Sequence, residues 1–200
     1  MTFRPTPLVL ASASPRRADL LKQIGVKFTT RPADVDEQVW PGEAPADYVL
    51  RLAVSKARAV GATGAAVLGA DTTVAVDGEC LGKARDQQEA VSMLMRLQDR
   101  WHEVHTGVAV LQNGDCERFV TCTRVKFGPL GHAHAMAYWQ TGEPHDKAGA
   151  YAIQGLGALF IERIEGSYSG VVGLPLAPTA LALARAGVAT ALTNAAGDRA

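Results

Sequence analysis

The sequence predicts an α/β fold with a mixed β-sheet and flanking helices. Three observations carry that expectation. A strand passes directly into a helix near the start, at residues 8–24. A helical apolar stripe then precedes a long buried strand, at residues 46–76. Two tight hairpin signals follow, at Val76-Asp77-Gly78-Glu79 and Asn113-Gly114-Asp115. Strand–helix units favour parallel neighbours and hairpins favour antiparallel ones, so their coexistence implies a sheet of both kinds.

Leu8 to Ala11 is a short apolar run, followed at once by Ser12-Ala13-Ser14-Pro15 and by Leu20, Leu21 and Ile24 at helical spacing. Ser14 suits the N-cap, Pro15 suits the first helical position, and Gly25 ends the helix. Residues 26–30 read as a second strand, and residues 31–45, rich in Pro, Asp and Glu, as loop. Over residues 46–60, Val49, Leu52, Ala53, Lys56 and Val60 share one helical stripe. Lys56 is thus on the apolar face, where it either snorkels to the helix edge or points its ammonium into a cleft.

Residues 65–76 read as a buried strand, with Cys80-Leu81 beginning the return. A helix is expected over 85–97, two strands over 101–111 and 118–127, and a short helix over 132–139. A Gly-rich loop covers 142–157, strands are expected over 158–164 and 170–172, a closing helix over 179–186, and a frayed tail from Thr190.

Composition narrows the function. The chain has 200 residues, 48% of them hydrophobic, which is enough for a real core. Lys plus Arg and Asp plus Glu both number 20, giving zero net charge, so neither stable nucleic-acid binding nor an anionic-membrane surface is expected. Cys80, Cys116 and Cys122 form no CxxC pair and have no His cluster beside them, so they read as ordinary thiols of a reducing cytoplasm rather than a zinc site. The start lacks a secretory core region, and no apolar run approaches the roughly 18 residues of a membrane span. The expected location is the cytoplasm.

The candidate chemistry gathers around one acid. Asp71 is the one residue of the 65–76 run with a charge at neutral pH, and an unpaired buried carboxylate costs several kcal/mol. It needs water, a cation or a hydrogen-bonding partner. Gly69 and Ala70 before it suggest open space, and Thr72 and Thr73 after it supply hydroxyls. Ser12, Ser14, Arg16 and Arg17 stand at a strand-to-helix junction, where free N–H groups and the helix dipole favour an anion. Consecutive helical residues diverge by about 100°, so the two arginines point apart. Glu37 and Lys83 say little alone. With Asp71 they supply carboxylates for a divalent cation or for orienting water, and fixed positive charge for a leaving pyrophosphate. The 146–155 block contributes Asp146, Lys147 and a run of small residues, and its Gln154 carries an amide able to donate and accept. No GxxxxGK[ST] loop is present, and no GxGxxG opens a helix.

These residues resemble the Maf family of nucleotide pyrophosphatases. The likeness rests on Ala11-Ser12-Ala13-Ser14-Pro15-Arg16-Arg17, Glu37, Lys56, Gly69-Ala70-Asp71-Thr72, Lys83, His105-Thr106-Gly107, the 146–155 block and Gly173-Leu174-Pro175. It implies an elongated, inosine triphosphatase-like α/β domain over 1–189, with two lobes around a central cleft, commonly a homodimer. It further implies hydrolysis of a nucleoside triphosphate to a monophosphate and pyrophosphate with a divalent cation, Mg²⁺ or Mn²⁺. Asp71 matches the proton acceptor and, with Glu37, the candidate metal ligand. Ser12, Arg17, Glu37, Lys56 and Lys83 match the remaining polar cleft residues. Arg16, Thr72 and Gln154 resemble the dTTP/UTP branch, whereas the 7-methyl-GTP branch typically has Trp, Gln and Glu there. Ala84 stands where the family usually has Pro, which leaves the turn after Lys83 less restricted.

Overall fold

The computed structural model describes residues 5–193. Its elements run β1 (Leu8–Leu10), α1 (Pro15–Gln23), β2 (Phe28–Thr30), α2 (Pro45–Val60), β3 (Ala66–Val76) and β4 (Glu79–Leu81). They continue with α3 (Gln87–Leu97), β5 (Trp101–Gln112), β6 (Asp115–Phe127), α4 (His132–Gln140), a 3₁₀ turn (Leu156–Phe160), β7 (Ile161–Glu165), α5 (Tyr168–Val172) and α6 (Leu176–Arg185). One seven-stranded sheet has the order β2-β1-β3-β5-β6-β7, with β4 added against β3. β1 pairs in parallel with β2 and β3, and the other pairings are antiparallel. The mixed sheet expected from the sequence is therefore present. Among the described residues no helix is long and apolar enough to cross a membrane.

Two expected strands are corrected. Residues 170–172 belong to α5, because the Ser167 hydroxyl accepts the Gly170 N–H at 3.0 Å and opens a helix there, and Gly173 at φ 131 stops it. β-branched Val171 and Val172 made that stretch look extended. Over 158–164, the first part is the 3₁₀ turn and only the remainder is β7. The tail is also held further than expected. Thr190 is buried and the Ala191 N–H bonds the Ile24 carbonyl at 2.9 Å, while the rest of the expected frayed segment, from 194 on, lies outside the described residues.

The pairing of β3 positions the site. On its β1 side the ladder covers Ala66 to Leu68 and then ends, and β4 takes over at Val74. Between them, Gly69 to Thr73 pair with β5 alone. The sheet is open along that edge, just beyond the carboxyl end of β1, where open α/β sheets place their ligands. Side chains alternate across β3. Ala66, Leu68 and Ala70 join one apolar cluster with α1 and α6, and Val74 and Val76 join another with α3 and α4. Thr72 falls between them. On the opposite face, Val67 packs with Ala53, Ala57 and Val60 of α2.

Gly69 does not leave open space beside the acid, as its small size had suggested. A Cβ there would run into the Ala53 carbonyl oxygen, and one at Gly107, which pairs with Asp71 across β3 and β5, would run into the Val49 carbonyl oxygen. The two glycines let α2 lie against the sheet, close enough for Lys56 to reach Asp71. Gly107→Ala is expected to cost about 1–3 kcal/mol by overpacking, read as a lower denaturant midpoint at unchanged m-value.

Candidate active site

All twelve residues singled out in the sequence line one cavity of about 600 Å³: Ser12, Ser14, Arg16, Arg17, Glu37, Lys56, Asp71, Thr72, Lys83, Asp146, Lys147 and Gln154. It wraps the open edge of β3, so it receives Asp71 from one face of the sheet and Thr72 from the other.

Its floor is an ion triad. Lys56 Nζ lies 2.6 Å from Asp71 Oδ1 and 2.6 Å from Glu37 Oε1. The Asp71 side chain is 10% exposed and that of Glu37 46%. Burial pushes the Asp71 carboxyl above the ordinary aspartate range, against the pull of Lys56 and Arg17. At Glu37 burial acts in the same upward direction, but Lys56, Lys83 and Arg17 outweigh it and hold the group below its usual value. Two neighbouring carboxylates thus have pKa values driven apart by their surroundings, the pattern of an acid–base site.

The two arginines divide as their angular separation requires. Arg17 donates from Nε to the Gly173 carbonyl (2.9 Å), from one terminal nitrogen to Ser12 Oγ (3.1 Å) and from the other to Thr72 Oγ1 (3.3 Å). Thr106 Oγ1, fully buried, donates to the Gly170 carbonyl at 2.8 Å, so in its 3.0 Å contact with Thr72 it is the acceptor. A directed chain therefore runs Arg17 to Thr72 to Thr106 to Gly170 and fixes both the guanidinium and the Thr72 hydroxyl. Arg16 has no hydrogen-bond or ion-pair partner among the described residues and faces the cavity with its charge unspent. Ser14 occupies the N-cap position as expected, but its side chain makes no capping bond. Its N–H instead donates to Ser12 Oγ at 3.2 Å. With two donors already on its oxygen, Ser12 keeps its own hydroxyl hydrogen for a ligand. The N–H groups of Arg16 and Arg17 sit in the first turn, where no intrahelical carbonyl reaches them.

The remaining residues come from two loops. Lys83 is set by an antiparallel bridge to Ala148, reinforced by the Gly149 N–H on the Gly82 carbonyl at 3.0 Å. That pairing restricts the turn where Ala84 replaces the usual Pro. The bridge also brings Asp146 and Lys147, joined at 3.2 Å, to the cavity wall, and Gln154 stands exposed at the rim.

Sequence reasoning missed the residues that hold these loops. Tyr48 Oη donates to the Glu37 carbonyl at 3.0 Å, and Arg51 donates to the Gln38 carbonyl at 2.9 Å while gripping both Glu43 oxygens at 2.6 Å and stacking on Trp40. Helix α2 thus fastens the Glu37 loop by Tyr48 and Arg51, in addition to the Lys56 ion pair with Glu37 itself. On the other wall, Glu143 accepts Tyr138 Oη, the Gly157 N–H and the Leu156 N–H, each at 2.8 Å, and Tyr138 Oη accepts the Ala152 N–H at 3.1 Å. Burial would raise the Glu143 carboxyl, but these donors hold it below the usual glutamate range. Glu143 and Tyr138 bracket the turn that presents Gln154. Glu143→Gln is expected to raise the KM for the ligand of this cavity several-fold with a smaller effect on kcat, because it loosens the Gln154 turn and leaves Asp71 in place. Steady-state kinetics separates the two parameters.

Two carboxylates with one free oxygen each also fit a hard cation. Asp71 Oδ2 and Glu37 Oε2 have no protein partner among the described residues, and an oxygen-only donor pair that leaves room for phosphate oxygens and water suits Mg²⁺ or Mn²⁺. Positive charge at a helix N-terminus, basic side chains around the wall and a buried acid on the floor together suit the binding of a polyphosphate and acid–base chemistry beside it.

This chain belongs to the Maf-like protein family, whose model matches residues 7–186. It is 53% identical over 193 residues to a dTTP/UTP pyrophosphatase of Methylobacillus flagellatus, covering 94% of this chain and 97% of that protein. It is 55% identical over 184 residues to a dTTP/UTP pyrophosphatase of Anaeromyxobacter dehalogenans, covering 90% and 94%. Among solved structures, a HAM1 protein from Coxiella burnetii aligns over 61% of this chain and 73% of its own at 17% identity, with a TM-score of 0.39. The family resemblance read from the sequence is borne out.

Proposed function

We propose that the protein hydrolyses dTTP and UTP to the monophosphate and pyrophosphate. The observation that carries this reading is the buried Asp71 on the floor of a cavity whose wall is the basic N-terminus of α1. Relatives at 53% and 55% identity that bear the name dTTP/UTP pyrophosphatase support the choice of substrate.

In this reading Asp71 accepts a proton from water as the water oxygen bonds the α phosphorus and the bond from that phosphorus to the bridging oxygen breaks. The electron pair leaves with pyrophosphate. Arg16, Lys83 and the first-turn N–H groups of α1 bind the phosphates and offset the charge that develops on the leaving group. The Ser12 hydroxyl donates to a phosphate oxygen, and Arg17, committed to protein partners, fixes Ser12 and Thr72. Asp71 and Glu37 would hold the divalent cation, which supplies Lewis-acid neutralisation of phosphate charge when bound. Gln154 reads the neutral pyrimidine edge with its amide. The homodimer of the family resemblance is part of the proposal, read out by light scattering.

The test is a panel of UTP, dTTP and 7-methyl-GTP with Mg²⁺ or Mn²⁺ and pyrophosphate detection. UTP and dTTP should release pyrophosphate well ahead of 7-methyl-GTP. Orthophosphate as the product, preference for 7-methyl-GTP, or UTP binding without turnover would each overturn the reading.

A further inference from the structure

A second group of ligand-type side chains lies away from the cleft. Glu103 and His105 are two residues apart on β5 and share a face of the sheet, and Cys122 of β6 pairs directly with His105. Glu103 Oε2 is 2.9 Å from His105 Nε2, and Cys122 Sγ is 3.9 Å from the same nitrogen. One donor atom from each residue lies within 4.8 Å of the others, and no other group of three or more His, Cys, Asp or Glu does so among the described residues. None of the three lines the catalytic cavity.

We propose that Glu103, His105 and Cys122 bind a borderline-soft divalent transition ion, Zn²⁺ in particular, with a fourth position open to water. A tetrahedral ion with bonds of about 2.0–2.3 Å holds its ligands roughly 3.4–3.6 Å apart. The two separations at His105 Nε2 bracket that spacing and the Glu103–Cys122 pair lies within 4.8 Å, so rotamer adjustments of the two exposed side chains, on the order of an ångström, close the site. The chemistry of the donors agrees, since thiolate, imidazole and carboxylate together suit Zn²⁺ and differ from the oxygen-only pair of the cleft. His105 directs one nitrogen at the group: its side chain is 10% exposed and its polar contacts converge on Nε2. Glu103 and Cys122 are exposed, which leaves an entry path and room for a water ligand. The adjacent cation, Arg124, is drawn aside by Glu165 at 2.8 Å and stacks on Trp101. The sequence concealed the group because its ligands come from two strands, with no CxxC or paired-His spacing to announce it. The bound ion would tie β5 to β6 on the face that carries Asp71.

The test uses Co²⁺ as the spectroscopic probe on the reduced, metal-free full chain. The expected result is a near-ultraviolet thiolate-to-cobalt charge-transfer band with visible bands of tetrahedral intensity, displaced by Zn²⁺ and not by excess Mg²⁺. The band should vanish in Cys122→Ser and weaken at least tenfold in apparent affinity in His105→Gln. It should persist in Cys80→Ser, Cys116→Ser and Asp71→Asn, which separates this site from the cleft. Absence of the band in the unsubstituted protein, its survival in Cys122→Ser, or its loss in Asp71→Asn would overturn the proposal.

Discussion

Asp71→Asn is expected to lower kcat for UTP hydrolysis by about 10²–10⁴ while leaving the protein folded and able to bind UTP. The substitution keeps the size of the side chain and an oxygen that can still accept the Lys56 ammonium, now 2.6 Å away. It removes the one property a base needs. Stability should not fall with activity, because the neutral amide is spared the cost of burying a carboxylate, and Lys56 keeps Glu37 as its counter-ion. Pyrophosphate release, calorimetric binding of UTP and a denaturant melt give the three readouts. Undiminished turnover would remove Asp71 from the mechanism, and lost binding would make its role one of assembly.

In the proposed reaction the same residue is expected to set the acid side of the pH profile. The active form of a base is ionised, so kcat/KM rises with pH through the pKa of Asp71 in the free enzyme. Burial is the dominant influence on that group and moves it above the ordinary aspartate value of about 3.9, with Lys56 and Arg17 limiting the rise. The acid limb is therefore expected on the alkaline side of a normal aspartate. Linkage runs in the matching direction. A carboxyl whose folded pKa is raised favours the fold fully below its unfolded pKa, and that contribution is lost as pH rises through the folded value. Asp71→Asn should remove this part of the pH dependence of stability. A limb at or below pH 3.9 in the unsubstituted enzyme would contradict the burial argument.

The sequence disclosed the candidate catalytic side chains better than their supports. Asp71 and Lys56 stood out because each is a charge on an apolar stripe, and a stripe is a local pattern visible in one chain. Glu37 and Lys83 lie in loops and had no such contrast, so they were readable only beside Asp71 and through the family resemblance. The loop fasteners were invisible for a different reason. Arg51, Tyr48, Glu143 and Tyr138 act on backbone carbonyls and N–H groups, up to 14 residues away in the case of Glu143 and Gly157, and any residue type offers those. Gly69 was misread because a missing side chain marks space without saying what fills it, and here helix α2 does. In the fold, β3 and the two hairpins followed from periodicity and turn chemistry. Helix α5 did not, since its five residues are too few to show a period and its cap at Ser167 outweighs two β-branched residues.

Lys56→Met is expected to be the most destabilising single change in the cleft, at about 3–5 kcal/mol, because it takes the shared cation from between two carboxylates. Glu37 can turn to water, with nearly half of its side chain already exposed, but Asp71 is buried and cannot. The protein then either keeps an uncompensated charge in the sheet or takes up a proton at Asp71, and the second course disables the base. Activity near neutral pH should fall with stability, and stability should improve as pH is lowered and Asp71 is protonated. The double variant Lys56→Met/Asp71→Asn distinguishes this account from simple loss of packing. If the cost lies in the stranded carboxylate, the double variant is more stable than Lys56→Met alone, and the two changes are strongly non-additive. If the cost lies in the lost lysine stem, the double variant is no better than the single one. Denaturant melts of the four proteins at two pH values decide between them, and a Lys56→Met protein within about 1 kcal/mol of the original would show that Lys56 is not what makes a buried acid tolerable on β3.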